Sequence, residues 1–319
     1  AAALNNIGTA YMNMGEQQQA LDYLLRSLPL LQAVGDQAKE ATTLNNIGAA
    51  YWDIGEKRKA LDYLLQALPI SQAVGDRTGE ARTLSNIGQV YSDLGEKQKA
   101  LDYLQQALPM RRAVGDRSGE AVTLHNIALT ERNSGNLQTA LTNIQAAIDI
   151  IEDLRTKIGS QELRASYFAQ NQDYYEFYID LLMRLHQQEP NRGYDSQAFH
   201  ISERARARGL LELLTEANAD IRQGVNPELL AQEQDLRQQL NAADFRRTQL
   251  LKNGYANTEL EAINQEIAST LNQLQTLEGQ IRATSPRYAE LQYPQPLTLP
   301  EIQQQILDDD TLLLQYSLG

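Results

Sequence analysis

Cysteine is absent from this sequence of 319 residues, and several other residue types are scarce. There is one tryptophan, and there are four phenylalanines, three histidines and nine prolines. Without cysteine the protein has no disulfide, no thiolate metal site and no cysteine nucleophile in this sequence. No apolar run reaches the 18 residues typical of a membrane-spanning helix, and no secretion signal opens the sequence. We therefore expect a cytoplasmic protein without a membrane segment.

Basic residues are also in deficit. The sequence has 28 Lys and Arg against 41 Asp and Glu, which gives a net charge of −13. An acidic protein repels the phosphate backbone at long range, so we expect no nucleic-acid partner. Arginines at 204, 206 and 208 form a basic cluster, but they lie beside acidic residues and predict ion pairs between helices. The three histidines are too scattered for a metal site, and no glycine-rich phosphate loop follows a strand. We predict no metal, no cofactor and no complete catalytic site.

The feature that is abundant is a repeat of 40 residues. Residues 1–115 contain nearly three copies of one unit, and a diverged fourth copy continues to about residue 158. Within the unit 81–121, apolar and small residues recur at helical spacing in two separate stretches. Gly95 stands between the stretches, where a left-handed helix cap is needed. Gly115 ends the second stretch, and Asp116 is placed to cap the next helix. Each unit is therefore predicted to be a helical hairpin.

This unit resembles the tetratricopeptide repeat. The residues that carry the resemblance are Gly88 and Tyr91 in the first helix, the turn residue Gly95, and Ala100 and Ala107 in the second helix. The period departs from the usual one of about 34 residues, and in that respect the unit looks like the repeats of Pins-type adaptors and kinesin light chains. Leucine also replaces the usual tryptophan, at positions 44 and 84. The resemblance implies an all-α, right-handed solenoid whose first helices line a groove that binds a protein or peptide.

One column of the repeat is asparagine in all four copies: Asn6, Asn46, Asn86 and Asn126. By resemblance these match the asparagines that hold the main chain of a bound peptide. A side-chain amide both donates and accepts, which suits that role. The alternative is that each amide bonds to a carbonyl of a neighbouring helix.

Four further positions are candidates for the same groove: Asn45, Trp52, Arg82 and Gln89. Trp52 is either an anchor for a partner side chain or a packed residue. Arg82 either meets an acidic group of a ligand or forms a salt bridge with a nearby carboxylate. The lysine and arginine set that clamps a C-terminal EEVD tail is not seen.

The repeats and the composition divide the sequence into four segments. We predict a tetratricopeptide-repeat array over 1–158, a diverged hairpin over 159–223, and a long antiparallel, coiled-coil-like hairpin over 224–284. Aromatic residues in the predicted helix 161–189 are expected to pack in a core. Residues 285–319 are predicted to be a linker, a short helix from Leu299 and a single strand, Thr311–Leu318. Asn226 and Pro227 are predicted to start its first helix, with Asn as the cap and Pro in the first turn. The hairpin within 226–283 offers a surface for self-association.

The segments 202–221 and 297–319 are similar to bacterial, often cyanobacterial, proteins in which such repeats precede a caspase-like CHAT domain. The resemblance implies that the sequence ends near the first strand of that domain. The family's catalytic histidine and cysteine have no counterpart here. We therefore predict a non-enzymatic scaffold, the recognition and regulatory arm of a CHAT-type protein. The alternative is that the protein forms part of a caspase-like cysteine peptidase whose catalytic residues lie beyond residue 319.

Overall fold

The computed structural model of the protein describes residues 1–158, 166–216, 226–253, 257–284 and 299–305. The described part is helical and divides into two compact units, Ala1–Ile150 and Ile151–Gly319. The first unit contains seven complete helices and most of an eighth, named in sequence order α1 Ala2–Asn13, α2 Gln17–Val34, α3 Gln37–Asp53, α4 Lys57–Ala73, α5 Arg77–Asp93, α6 Lys97–Ala113, α7 Arg117–Asn133 and α8 Leu137–Thr156.

The predicted helix ends are confirmed. Gly95 and Gly115 have φ angles of 79° and 70°, a left-handed conformation that costs glycine little. The Asp76 and Asp116 carboxylates accept hydrogen bonds from the backbone N–H three residues later, at 2.9 and 2.8 Å. These N-caps satisfy backbone donors that no helical partner can reach. A local sequence signal therefore determines where α5 and α7 begin.

Small residues allow the two helices of a hairpin to approach closely. A Cβ atom at Gly88 would lie 2.6 Å from Cγ of Leu104 and 3.1 Å from the carbonyl oxygen of Ala100. Gly8 and Gly48 meet the same obstruction in their own repeats. The glycine column therefore marks the closest contact between the first and second helices of each of these repeats.

The core lies between successive hairpins as well as within them. Leu64 on α4 packs with Ile87 and Val90 on α5, and the same arrangement joins α2 to α3. Tyr91 stacks on Tyr103 with ring centroids 5.6 Å apart, and the equivalent tyrosines stack in the two preceding repeats.

The fourth repeat replaces this tyrosine pair with Glu131 and Asn143. Glu131 is buried there and accepts a hydrogen bond from the side chain of Asn136 at 2.7 Å. The last unit of the array therefore keeps its two helices but packs them with different groups.

Alternate helices form two layers. The odd-numbered helices α1, α3, α5 and α7 contact one another in sequence, and they do so more closely than α2, α4 and α6 contact one another. This packing places the first helix of each repeat beside the first helix of the next. The layer of odd-numbered helices therefore carries one continuous surface from repeat to repeat.

The second unit begins inside α8 and contains a further hairpin. Its helices are α9 Gln172–Gln188 and α10 Tyr194–Glu216, separated by a 3₁₀ turn at Pro190–Arg192. The predicted aromatic core is confirmed for five of its six members: the aromatic side chains at 168, 174, 175, 177 and 178 are buried, whereas Tyr167 is half-buried. The single helix predicted over 161–189 is wrong in its described part. Residues 166–169 are helical, but a turn at Gln170 and Asn171 separates them from α9.

Asn171 explains that interruption. Its side-chain nitrogen donates to the carbonyl oxygen of Tyr167 at 2.6 Å, and its backbone N–H donates to the carbonyl oxygen of Phe168. Asparagine competes for backbone hydrogen bonds in this way and so favours turns over helix interiors. Apolar periodicity alone continues through such a turn and does not reveal it.

A long antiparallel hairpin follows, formed by α11 Pro227–Asn253 and α12 Asn257–Thr284. The predicted start at Asn226 and Pro227 is confirmed, because the side-chain oxygen of Asn226 accepts from the backbone N–H of Glu228 at 2.8 Å. Leu240 and Ala243 pack against Ile267 across the hairpin. A last short helix, α13, spans Leu299–Gln305.

The predicted strand at 311–318 lies outside the described residues. None of the described helices combines the length and apolar character that a bilayer-spanning helix requires. Over the same described ranges, no group of three or more acidic or histidine side chains is arranged to hold a metal ion.

Candidate peptide-binding face

We define the odd-helix face as the stripe of side chains that α3, α5 and α7 present beside their buried apolar positions. On α5, Leu84, Ile87 and Val90 are buried, whereas Arg82, Asn86, Gln89 and Ser92 are half-buried. The spacing i, i+4, i+7 and i+10 keeps these four residues on one side of the helix. The corresponding side chains of the two flanking helices complete the face: Thr42, Asn46, Ala49, Trp52, Val122, Asn126, Leu129 and Arg132.

The asparagine column links successive first helices. Asn46 donates to the Thr9 hydroxyl at 3.4 Å, Asn86 to the Asn45 side-chain oxygen at 3.1 Å, and Asn126 to the Gln89 side-chain oxygen at 3.2 Å. The amide nitrogen is thus directed at the preceding repeat in each case. The alternative considered from the sequence was a bond to a carbonyl of a neighbouring helix. The three nitrogens do bond to a neighbouring helix, but to its side chains: Asn86 and Asn126 to side-chain carbonyl oxygens, and Asn46 to a hydroxyl.

The members of the column differ in exposure. Asn6 is exposed on α1, whereas Asn46 and Asn86 are half-buried and Asn126 is buried. The side-chain oxygens of Asn86 and Asn126 accept no hydrogen bond from any described residue. Of these two, Asn86 offers the more accessible acceptor on the face.

A second polar row lies deeper, one residue before the asparagines. Asn45 is buried, and its side-chain oxygen accepts from the Thr83 hydroxyl at 3.2 Å as well as from Asn86. The equivalent pairs in the neighbouring repeats are Asn5 with Thr43 and Ser85 with Thr123. These bonds satisfy polar groups that would otherwise be buried without partners. Asn45 is therefore held between helices, beneath the row that faces outward.

Trp52, the only tryptophan in the sequence, lies near the end of α3 on the same stripe. Its indole N–H donates to a side-chain oxygen of Asp93 at 2.6 Å, and its ring packs against the core cluster between α4 and α5. The residue is half-buried, so part of the ring remains accessible. Both uses weighed from the sequence are compatible with this position, and its contact with a ligand stays a prediction.

Arg82 is a half-buried cation on α5. It makes no ion pair and no hydrogen bond with any described residue, and its Nε is buried. Burial lowers the pKa of its guanidinium from the usual range, and the nearby charge of Arg111 lowers it further. The salt bridge to a neighbouring carboxylate that the sequence left open is thus not formed within the described part of the protein.

His125 lies beside the asparagine column on α7. Burial, with a smaller contribution from the charge of Arg132, lowers its pKa to about 4. The imidazole is therefore neutral at ordinary pH. It adds a polar but uncharged group beside the odd-helix face.

Sequence reasoning overlooked Arg111, which is buried at the end of α6 and paired with Asp116. The sequence contained a signal for this residue, because an arginine stands where the preceding repeat has Ser71.

Val122 was also not proposed, although it is exposed and, with the half-buried Leu129, brings apolar surface to the face beside Asn126. The face as a whole offers hydrogen-bond acceptors, apolar patches and an arginine without an ion pair among the described residues, a set suited to binding.

Comparison with known proteins agrees with the repeat. The tetratricopeptide-repeat family model matches residues 1–73 and 66–113. A comparison with curated protein sequences finds no match.

The solved structures that match this protein include three proteins with the following similarities. A putative kinesin light chain of Podosopora anserina is 17% identical, the alignment covers 65% of the present protein and 93% of that one, and the TM-score is 0.48. Aspartyl phosphate phosphatase F from Bacillus subtilis is 14% identical, with coverages of 99% and 73% and a TM-score of 0.49. A Rap protein complexed with competence and sporulation factor is 17% identical, with coverages of 88% and 75% and a TM-score of 0.47.

The family match and the helical hairpins cover the same part of the sequence. The matched region contains the glycine, tyrosine and alanine columns from which the repeat was recognised, and α1 to α6 lie within it. Residues 1–113 are therefore a tetratricopeptide-repeat array.

Proposed function

We propose that this protein is an interaction scaffold that binds an extended or helical peptide segment of a partner on the odd-helix face. The observation that carries the proposal is the row of polar side chains with the 40-residue period of the repeat. The side-chain oxygens of Asn86 and, more deeply, Asn126 are not used by their helix-to-helix bonds and accept nothing from the described residues. They are available to accept backbone N–H groups of a ligand.

The hydrogen bonds between helices also orient these amides for this role. Because the amide nitrogens of Asn86 and Asn126 are occupied by the preceding repeat, the amides are oriented before a ligand arrives. A preorganised acceptor loses less side-chain entropy on binding than a free one. Trp52 and Leu129 supply apolar surface on the two flanking helices, which is where anchoring side chains of a partner would bind.

The test uses peptides selected from a random display library against the protein of 319 residues, with the fluorescence of Trp52 as the binding signal. The double variant Asn86→Ala with Gln89→Ala removes two polar contacts from the face. We expect it to weaken binding about tenfold or more, since a hydrogen bond contributes about 1 kcal/mol. Gln66 and Gln106 lie exposed on α4 and α6, so Gln66→Ala with Gln106→Ala is the matched control. Equal affinities for both double variants would contradict the proposal.

The resemblance of 202–221 and 297–319 to CHAT-type proteins supports a more specific role. In this proposal the array is the cytoplasmic recognition and regulatory arm of such a protein, and the coiled-coil-like hairpin of α11 and α12 adds a self-association surface. The protein is proposed to have no enzymatic activity of its own. A peptidase assay on the purified protein is expected to show no cleavage, and cleavage that survives repurification would support the alternative, a part of a caspase-like peptidase.

A further inference from the structure

The third repeat carries more positive charge than the repeat before it at three positions. Arg82, Arg111 and Arg112 stand where the preceding unit has Thr42, Ser71 and Gln72. The apolar columns of the two units are otherwise nearly the same. The added charge is therefore a local departure from the repeat, which the helical fold does not require.

Two of the three arginines are neutralised within the array. Arg111 is buried and forms an ion pair with Asp116, the N-cap of α7. Arg112 pairs with Glu120 at 2.7 Å, and in the preceding repeat Gln72 contacts Glu80 in the same way at 3.0 Å. These two arginines therefore have structural partners.

Arg82 is different. It is half-buried, its Nε is removed from water, and no carboxylate among the described residues lies within ion-pairing distance. The positive charge of Arg111 lies near enough to disfavour its own charge. Removing a guanidinium from water without a partner costs free energy. Thr42 and Val122 occupy the same position in the flanking repeats without any such cost, so stability does not explain the arginine.

We propose that Arg82 binds a carboxylate of the peptide held on the odd-helix face, an inference that rests on the proposed function. Arg82 lies one helical turn before Asn86 and two before Gln89, so the three side chains follow one line along α5. A guanidinium and a carboxylate form paired, charge-assisted hydrogen bonds. Such a contact would fix the register of the peptide on the asparagine row.

The surrounding charges favour a carboxylate over a phosphate. Asp76 and Asp116 lie close enough to influence Arg82 electrostatically, although neither is bonded to it. A single guanidinium near two carboxylates can neutralise one negative charge, whereas a phosphorylated side chain brings nearly two. The ligand group is therefore the carboxylate of an aspartate, of a glutamate or of a peptide's own C-terminal residue.

Two variants taken from the repeat itself test this. Arg82→Thr introduces the residue of position 42. Arg58→Gln introduces the residue found at positions 18 and 98, and it removes the same charge from an exposed site on α4. Random dodecapeptides are displayed in two formats, one with a free C-terminus and one fused at both ends. They are selected against the unsubstituted protein, against Arg82→Thr and against Arg58→Gln.

The wild type and Arg58→Gln are expected to select peptides with an acidic residue at one fixed position, or with a free C-terminal carboxylate. Enrichment in the doubly fused format identifies a side-chain carboxylate as the source. Arg82→Thr is expected to lose this preference and to bind the wild-type peptides about tenfold or more weakly, as loss of a charge-assisted contact predicts. When the fixed acidic residue of a selected peptide is a glutamate, its replacement by glutamine should weaken binding of that peptide to the wild type but not to Arg82→Thr.

Denaturant unfolding without peptide tests independently whether Arg82 stabilises the fold. Because Arg82 has no ion-pair partner among the described residues, Arg82→Thr is expected to unfold at the same or a higher denaturant concentration. Selection of peptides that need Asn86 but show no acidic preference would overturn the Arg82 inference and leave the proposed function intact. Failure of the wild type to select any peptide would overturn both.

Discussion

At the scale of single residues, Gly88 determines how closely two helices pack. The substitution Gly88→Ala would place a Cβ 2.6 Å from Leu104 and 3.1 Å from the Ala100 carbonyl oxygen. Alanine favours helix by up to about 1 kcal/mol over glycine, but overpacking costs about 1–3 kcal/mol. We expect a net loss of free energy of unfolding, measured by denaturant titration of the variant and the unsubstituted protein.

Gly279 supplies the matched control. It lies exposed on α12, and a Cβ built there meets no atom within 4 Å. Gly279→Ala should therefore stabilise the protein by about 0.5–1 kcal/mol, since only the helix preference changes. If Gly88→Ala stabilised the protein as Gly279→Ala does, the helices would not be in the close contact described here.

The residues of the odd-helix face show how far a repeat pattern can be interpreted without a structure. Alignment of the copies identified the asparagine column, because a position repeated every 40 residues lies at the same place on each hairpin. It did not identify the partners of the amides, since Asn46 bonds to Thr9 and Asn86 to Asn45 across a helix interface. Those contacts depend on the rotation of neighbouring helices about their axes, which apolar periodicity does not determine.

At the scale of elements, the start of α7 combines a cap with an ion pair. Asp76 caps α5 through the backbone N–H of Gly79 and forms no ion pair within the described residues. Asp116 caps α7 in the same way and also pairs with the buried Arg111. We expect Asp76→Ala to cost about 1 kcal/mol of unfolding free energy and Asp116→Ala about 2–3 kcal/mol, because it leaves a buried charge unpaired. Denaturant unfolding of the two variants compares the losses.

A second substitution separates the two contributions of Asp116. Arg111→Ser restores the residue of the preceding repeat at position 71. In the background of Asp116→Ala it should recover stability until only the loss of the cap remains, close to the effect of Asp76→Ala. A double variant no more stable than Asp116→Ala would show that the Arg111 charge is not the source of the larger loss.

Helix bounds in the array were predictable because each boundary carries its own chemical signal, such as the glycines at 95 and 115 and the N-cap aspartates. Beyond residue 158 those signals become sparse. The turn at Asn171 was missed because a single asparagine among aromatic residues does not interrupt the apolar pattern, although its side chain bonds to Tyr167. The start of α11 was found because Asn226 and Pro227 form a strong N-terminal signal. The quality of each prediction thus followed the strength of the local signal.

At the scale of the whole molecule, the unit Ala1–Ile150 is stabilised by contacts between sequence neighbours. From α1 to α7 each helix contacts the next one in the sequence, and α1, α3, α5 and α7 contact one another in order. An array of this kind has no single core on which all repeats depend. Its stability is approximately the sum of repeat and interface contributions.

This architecture predicts the result of shortening the array from its N-terminus. A variant that lacks residues 1–36 still contains three hairpins, from α3 through α8, and keeps the core clusters between them. We expect it to remain helical by circular dichroism and to unfold cooperatively at a lower denaturant concentration than the protein of 319 residues. The loss arises because Ala20, Leu21 and Leu24 no longer cover Ile47 and Ala50, which become exposed.

A second shortened variant, which lacks residues 77–116, is compared with the variant that lacks residues 1–36. This deletion removes one 40-residue unit and joins Asp76 to Arg117, so the register of the repeat is kept. The internal deletion removes the same kind of hairpin but leaves no newly exposed end, so the loss of stability should be of similar size and the helical signal should persist. Arg82 and Arg111 are removed together, and peptide binding through Arg82 should disappear while the fold remains. Complete loss of helical structure in both shortened proteins would mean that the repeats depend on one shared core, contrary to the nearest-neighbour packing described here.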